Sequence, residues 1–446
     1  MHQKRYTIDI KGFSRNIAMQ MTTSSLRNNH RHSRWYERIL LSFHTHYFLG
    51  LVLVAGLPAL WQWGWSTWKL EENEVNITLL ASAAAYMVAF RAVKELSHYP
   101  GTSAFSYVIP SATVVYLGVT ALLVGLEIPF APWQLLFSYL TALAFGCTGY
   151  RLAHRYRRRK MAIVPVGNVS RWFDRRDIDQ RWLKSPDLEN TRVDGVIVDL
   201  SSDLSTDWQR FLADCTIKRI PVHDARRFSE ARLGRIGLDQ IHANRYSSLM
   251  PKTSYELFKR VADIFAALML MPVALPLMGI AAIMIKRDDP GPVLFRQRRS
   301  GFQGEEFDVY KMRSMYVNPD DVRPTQEGDD PRITKVGKYL RKYRIDELPQ
   351  LFNVLKGDMS LIGPRPETPS LTEAYERDIP FFRYRHVVRP GISGWAQVEQ
   401  GYASEVEGSR LKLEYDFYYI RNFSFWMDLL VVIRTIRTIF TGSGAR

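Results

Sequence analysis

Apolar residues in this chain gather into five long runs separated by polar, charge-rich stretches. A wetter run lies from about Ile39 to Trp65, and three clearer ones follow at roughly Val75 to Ala92, Ala104 to Leu126 and Trp133 to Leu152. Each is near the ~20 residues that a helix needs to cross a bilayer, so four crossings are expected. The fifth run, residues 261–285 (VADIFAALMLMPVALPLMGIAAIMI), carries Pro272 and Pro276 in mid-span. A proline removes one helical donor and crowds the turn before it, so a break is expected there and the run should enter the membrane and turn back. The alternative is an ordinary kinked spanning helix, since prolines are tolerated in those.

Charge fixes the orientation. Arg27, Arg31, Arg34 and Arg38 precede the first run, Arg91 and Lys94 follow the second, and Arg151, Arg155, Arg157, Arg158, Arg159 and Lys160 follow the fourth. The other two loops hold Lys69 with Glu71, Glu72 and Glu74, and Glu127 alone. By the positive-inside rule the N-terminus and residue 160 are both cytoplasmic. Lys259 and Arg260 before the fifth run, and Lys286 and Arg287 after it, obey the same rule only if that run is re-entrant.

Between 161 and 250 the pattern changes. Short apolar runs at Ala162 to Val166, 193–200 (VDGVIVDL) and 219–224 (RIPVHD), with a helical stretch from about Thr206 to Thr216, read as a small parallel α/β unit. Gly167 stands alone, without the further glycines that let backbone approach a pyrophosphate, so the unit reads as a degenerate module for contacts or regulation. The formal charge of +15 sits mostly in juxtamembrane clusters, which assigns it to anionic lipid and not to nucleic acid. The two cysteines, Cys147 and Cys215, support neither a disulfide framework nor a thiolate metal site.

The chemistry-bearing residues follow Lys286. Arg296, Arg298, Arg299, Lys311 and Arg313 lie in a turn-rich stretch close to the bilayer, and such cations suit a phosphate-bearing lipid or an incoming pyrophosphate as well as simple head-group attraction. Residues 334–343 read as a basic amphipathic helix. Asp346 and Glu347 then open a second helix that Gly357 ends. A carboxylate pair at a helix start is usually a cap, but this one lies between Arg341, Lys342 and Arg344 upstream and Pro364-Arg365-Pro366 downstream. There the cations could hold an anionic substrate while the pair supplies a nucleophile and oxygen ligands for Mg²⁺.

From Tyr255 onward the chain resembles the bacterial sugar transferases, the monotopic phosphoglycosyl transferases. The matching blocks are the membrane run with Pro272, then PGPVLFRQRRSG, DVYKMRSM, DPRITKVGKYLRKYRIDELPQLFNVLKGDMSLIGPRPE and RPGISGWAQV. With four preceding spans and an α/β insert, the whole chain resembles the large-chain branch of that family. The resemblance implies transfer of a hexose-1-phosphate from a UDP-sugar, with a plain hexose the first guess, to undecaprenyl phosphate, releasing UMP. Asp346 would be the nucleophile that forms an aspartyl phosphosugar. Glu347 would help hold Mg²⁺ and tune the nucleophile, and Arg341 and Arg365 would clamp phosphates or the active-site loop. Asp416 and Asp428 match late acidic positions of the family, and with Lys311 and Arg313 they complete the expected substrate-binding set. Membrane lipids and a second copy in a homodimer are the expected partners, and the bacterial inner membrane is the expected location. One departure is Met271, where the family often has Ser before the central Pro; its hydroxyl could bond the freed carbonyl.

The expected fold is therefore a membrane protein of α + α/β class. It has a cytoplasmic N-terminal segment (1–38), a four-helix transmembrane region (39–155), a degenerate Rossmann-like module (156–250) and an α-rich catalytic domain (251–446) with a re-entrant helix at 261–285. A membrane-bound nucleotide-sugar dehydratase or epimerase would need the missing glycine-rich loop. A non-enzymatic export scaffold would not need the Asp346-Glu347 pair.

Overall fold

The structure is a computed structural model that describes residues 42–64, 73–97, 99–100, 105–156, 160–167, 169, 179–189, 191–238, 250–251, 253–316, 330–400 and 406–441. The N-terminal segment 1–38 with its arginines, Lys69, Glu71, Glu72, Arg157 to Arg159 and Asn168 lie outside the described residues. The chain divides into two compact units, Met1–Leu233 and Gly234–Arg446.

In the first unit all four expected crossings are helices. The first consists of α1 (Phe43–Leu51), a π-helical turn (Val52–Gly56) and α2 (Leu57–Trp63), followed by α3 (Asn73–Leu96), α4 (Phe105–Gly125) and α5 (Pro132–Tyr156). Three of these stretches, His44–Trp63, Asn73–Leu96 and Tyr107–Gly125, are apolar and long enough to cross a membrane. Helix α5 is wetter because it turns polar groups inward. Gln134 accepts from Ser82, Ser138 bonds Tyr116 at 2.9 Å, and Tyr139 bonds Thr113 at 2.8 Å. Such pairings satisfy polar groups that hydrocarbon could not. Around them Val54, Ala85, Tyr86, Leu123, Leu135 and Ala142 form the bundle core, while Leu80, Leu117, Leu122 and Trp61 face outward.

The α/β module has one four-stranded parallel sheet in the order β2-β1-β3-β4, built from β1 (Lys160–Ile163), β2 (Asp179–Trp182), β3 (Gly195–Val198) and β4 (Val222–Asp224). Successive side chains of a strand face opposite ways. Thus Ala162, Val196 and Val198 pack with Phe211 and Cys215 of α6 (Thr206–Ile217). Met161, Ile163 and Ile197 pack with Ala225 and Phe228 of α7 (Ala225–Leu233) on the other side. Burial on both faces explains why the β3 sequence is a continuous apolar run. Edge strand β2, with the sequence DQRW and mostly exposed, carries no such run.

The second unit is organised by α8 (Thr253–Asp288), 36 residues or about 54 Å at 1.5 Å per residue. It is α-helical throughout, with Pro272 and Pro276 inside it, so the expected break at the prolines is not found. Each proline costs one intrahelical bond, but the neighbouring turns keep theirs. Lys259, Asp263, Ala267, Ala274, Ala281 and Ile285 are buried at spacings of four and seven, which marks one continuous face. The alanines let this face lie close to Val309, Leu351, Val354 and Met359, and farther along to Met312 and Leu340. The remaining faces expose Phe265, Leu268, Val273, Ile280 and Ile283.

Both ends of α8 are fastened to this one body. At the N-terminal end Lys259 pairs with Asp428 at 2.6 Å, and Arg260 donates to the carbonyls of Val354 and Leu355. Asp263 accepts from the Ser360 hydroxyl. At the C-terminal end Asp288 accepts the backbone N–H of Val336, and Arg313 holds the Asp289 carbonyl.

The rest of the unit comprises the hairpin β5 (Leu294–Ser300) and β6 (Glu306–Met312), then α9 (Lys335–Lys342), α10 (Gln350–Lys356), β7 (Ser360–Ile362) and α11 (Pro369–Asp378). It closes with β8 (Gly391–Ser393), α12 (Trp395–Glu399), α13 (Val406–Arg421) and α14 (Phe425–Thr441). Strands β7 and β8 pair in parallel.

Candidate active site

The acidic pair is placed by two tight junctions. Thr334 caps α9 by accepting from the Gly337 N–H, and Gly337 sits against the Ser314 carbonyl where a side chain would collide. Past Lys342 the chain reverses through Arg344 in the left-handed region, φ 54°, uncommon for a residue with a Cβ. One 3₁₀ turn, Ile345–Glu347, then presents both carboxylates ahead of α10, which ends on Gly357 at φ 107°. Helix α10 also fixes the facing strand. Its buried Asn353 donates to the Asp308 carbonyl at 2.7 Å and accepts the Tyr310 N–H at 3.1 Å, which sets the position of Lys311.

The two carboxylates have different surroundings. Glu347 is buried and held by three cations: Arg365 at 3.0 Å and Lys311 at 3.9 Å from Oε1, and Arg344 at 3.3 Å from Oε2. Burial pushes its carboxyl up, yet Arg365, Lys311 and Arg344 together hold it below the usual range. Asp346 is partly buried and, among the described residues, its carboxylate makes no hydrogen bond or ion pair. Burial, and then the neighbouring Glu347, push it up to about 6. Burial likewise drives Lys311 down to about 8. Four cations (Lys311, Arg341, Arg344 and Arg365) thus face two carboxylates, a balance that suits a diphosphate.

Arg365 stands between Pro364 and Pro366 on a loop pinned from every side. The Gly363 N–H bonds the Ser393 carbonyl at 2.9 Å, and the Gly391 N–H bonds the Pro364 carbonyl at 3.0 Å. Arg385 donates to the carbonyl of Arg365 at 2.7 Å and Arg299 to that of Pro366 at 3.0 Å. Behind the loop lies a second charge cluster. Glu367 is within 3.9 Å of Arg299, Arg385 and Lys412, and Asp416 pairs with Arg385 at 2.9 Å. Burial pushes Asp416 up to about 6, although Arg385 opposes it.

The site residues expected from sequence therefore separate into groups. Asp346, Glu347, Lys311, Arg341 and Arg365 come together, although Arg341 acts on Asp346 by its charge and not by a side-chain bond. Asp416 reaches the loop through Arg385. Arg313 is buried on Asp289 and the Pro290 carbonyl, where it ties the end of α8 to β6. Asp428 is bonded to Lys259, Tyr255 and Tyr419, where it clasps α8. Pro272 and Pro276 lie within α8. The roles of Glu367, Arg385 and Lys412 were not legible, because charged residues so far apart in sequence meet only through the fold.

The donor set admits Mg²⁺ in a limited way. Both oxygens of Asp346 are open, while those of Glu347 are engaged by cations. Among the described residues no group of three or more metal-ligating side chains exists. Such a set fits an ion that takes most of its six positions from water and substrate phosphate, with Asp346 as its protein ligand. Glu347 could join only by releasing a cation.

Residues 254–442 match the family described as bacterial sugar transferase. The chain is 45% identical over 419 residues, 93% of its length and 99% of the relative's, to the UDP-N-acetylgalactosamine-undecaprenyl-phosphate N-acetylgalactosaminephosphotransferase of Aeromonas hydrophila. It is 44% identical over 200 residues, 44% of its length and 74% of the relative's, to the UDP-glucose:undecaprenyl-phosphate glucose-1-phosphate transferase of Caulobacter vibrioides. The protein so named in Escherichia coli is 41% identical over 192 residues, 42% of this chain and 41% of that one.

Proposed function

Because the chain belongs to the bacterial sugar transferase family, and is a transferase acting on undecaprenyl phosphate, we propose that Asp346 carries a sugar phosphate between two substrates. An Asp346 oxygen attacks the β-phosphorus of a UDP-sugar. The bond from that phosphorus to the bridging oxygen breaks, UMP leaves with the oxygen, and an aspartyl phosphosugar remains. A phosphate oxygen of undecaprenyl phosphate then attacks the same phosphorus and breaks its bond to Asp346, which frees the carboxylate and gives the undecaprenyl-diphosphate sugar. The observation that carries this reading is the contrast within the pair: Asp346 is open, and Glu347 is tied to three cations.

The protein's part is positioning and charge, the main demands of phosphoryl transfer. Glu347 holds Arg365, Arg344 and Lys311 around the place where the diphosphate lies. The clasped loop keeps Arg365 fixed against the pull of the leaving group. Magnesium held through Asp346 would neutralise charge on the substrate phosphates.

The second unit would work at the cytoplasmic face of the inner membrane, as the first step of a surface polysaccharide. That α8 dips into the bilayer with both its ends on one side is supported by its packing, since one body holds the helix from Lys259 to Asp288 and leaves the apolar faces free for lipid. A crossing helix could not keep both ends on a body that lies on one side. For the donor, the relative aligned over almost the whole chain is named for UDP-N-acetylgalactosamine, so that sugar displaces a plain hexose as first choice. UMP release from UDP-N-acetylgalactosamine and UDP-glucose, with and without undecaprenyl phosphate, tests the proposal. At least one donor should give a single equivalent of UMP per enzyme without acceptor and repeated turnover with it; continuous hydrolysis without acceptor, or no reaction with a full donor panel, would overturn it.

A further inference from the structure

In the β5–β6 hairpin Phe295 is opposite Lys311, Gln297 opposite Val309 and Arg299 opposite Phe307. Directly opposed residues project from the same face, and alternate residues share it. This face looks into the unit and over the site. Lys311 reaches Glu347, Arg299 bonds the Pro366 carbonyl, and Val309 is buried beneath α8. Phe295 stands apart from the other residues of this face because it is 47% exposed, beside the site lysine. Two residues before Phe295, Val293 packs with Ala281 and Ile285 in the last turns of α8. Phe295 therefore stands between the lysine of the cation-lined site and the last turns of the lipid-facing helix.

That border has a chemical counterpart in only one of the two substrates. A nucleotide sugar comes from water. A polyprenyl phosphate must bring an anionic head to Asp346 while its chain stays against apolar surface. We propose that Phe295 contacts the first isoprene units of the acceptor and guides its phosphate toward Lys311 and Asp346. Phe295 is then a specificity residue for the lipid and not for the donor. The inference rests on the two-substrate reaction proposed above.

The test uses the full chain in nanodiscs and follows the half-reactions separately: phosphosugar adduct from UDP-sugar alone, and its discharge by undecaprenyl phosphate. Phe295→Ala should raise the KM for undecaprenyl phosphate about tenfold, the loss expected for one large apolar contact. Phe295→Leu should recover most of it, and adduct formation should keep the wild-type rate in both. Slower adduct formation with an unchanged acceptor KM would mean that the ring serves the nucleotide and would overturn the proposal. An unchanged profile in both half-reactions would overturn it too. A fall in both together would mark a loss of seating in the membrane and would equally count against an acceptor-specific role. If no adduct forms even in the wild type, the two-step reading fails, while the steady-state acceptor KM of Phe295→Ala still decides this one.

Discussion

Asp428→Asn separates a structural role for this carboxylate from contact with substrate. Its oxygens accept from Lys259 at 2.6 Å, Tyr255 at 2.6 Å and Tyr419 at 2.7 Å. The side chains of Lys259 and Asp428 are only 8% and 12% exposed. An amide keeps the shape and can still accept a tyrosine proton, but it removes the charge facing the ammonium. Breaking a buried pair typically costs about 3–5 kcal/mol. Here Asp263 remains 3.8 Å from Lys259 and offsets part of the loss. A cost of about 2–3 kcal/mol follows, the upper range for one charge-assisted hydrogen bond. At about 2–4 °C per kcal/mol for a unit of this size, the Tm of the C-terminal unit should fall by about 4–12 °C. Scanning fluorimetry of the full chain in nanodiscs reads the shift, and steady-state kinetics well below the variant's transition read the donor KM. A lowered Tm with an unchanged KM is expected. An unchanged Tm with a lost or donor-starved reaction would refute the reasoning and put Asp428 on the substrate.

Three other outcomes can be checked. Asp346 is pushed up to about 6, chiefly by burial, so below that pH it keeps its proton and cannot attack; the rate of adduct formation should fall as pH drops through about 6, and a flat profile from about 5 to about 7 would speak against this assignment. With Cys147 and Cys215 replaced by Ser, Thr253→Cys at the exposed start of α8 and Lys335→Cys at the exposed start of α9 should both be labelled from the cytoplasmic face alone, and labelling from opposite faces would rule out re-entry. Gly363→Ala would drive a methyl group into the Arg389 carbonyl and to 2.9 Å from the Gly391 nitrogen, so the Arg365 loop must shift and kcat should drop while membrane insertion persists; full turnover would show that the clasp is dispensable.

Local chemistry made part of this molecule legible. The basic amphipathic stretch 334–343 is helix Lys335–Lys342, and Gly357 ends the next helix, because a cap, a period and a left-handed glycine are local signals. The buried strand Gly195–Val198 and the half-buried strand Val222–Asp224 fall within the runs that pointed to them. The prolines of α8 misled, since a single missing donor need not end a helix whose other turns are intact. The β5–β6 hairpin was hidden in a stretch read as turns, because its Arg-rich strand shows alternation only once paired with β6. Arg313 is expected near phosphate as a cation beside the membrane, and Asp428 as a match to a late acidic position of the family, whereas within the fold they pair with Asp289 and Lys259. Which charges face each other across the fold cannot be seen one residue at a time.

The central claim is that Asp346 carries the sugar phosphate covalently. Intact mass of the purified protein after incubation with its UDP-sugar and Mg²⁺, without acceptor, tests it most directly. The expected result is a mass increase of one phosphosugar, mapped by peptide analysis to Asp346, abolished in Asp346→Asn, and removed by undecaprenyl phosphate. If UMP appears only when both substrates are present and no adduct forms under conditions that support turnover, transfer is direct and the claim is wrong.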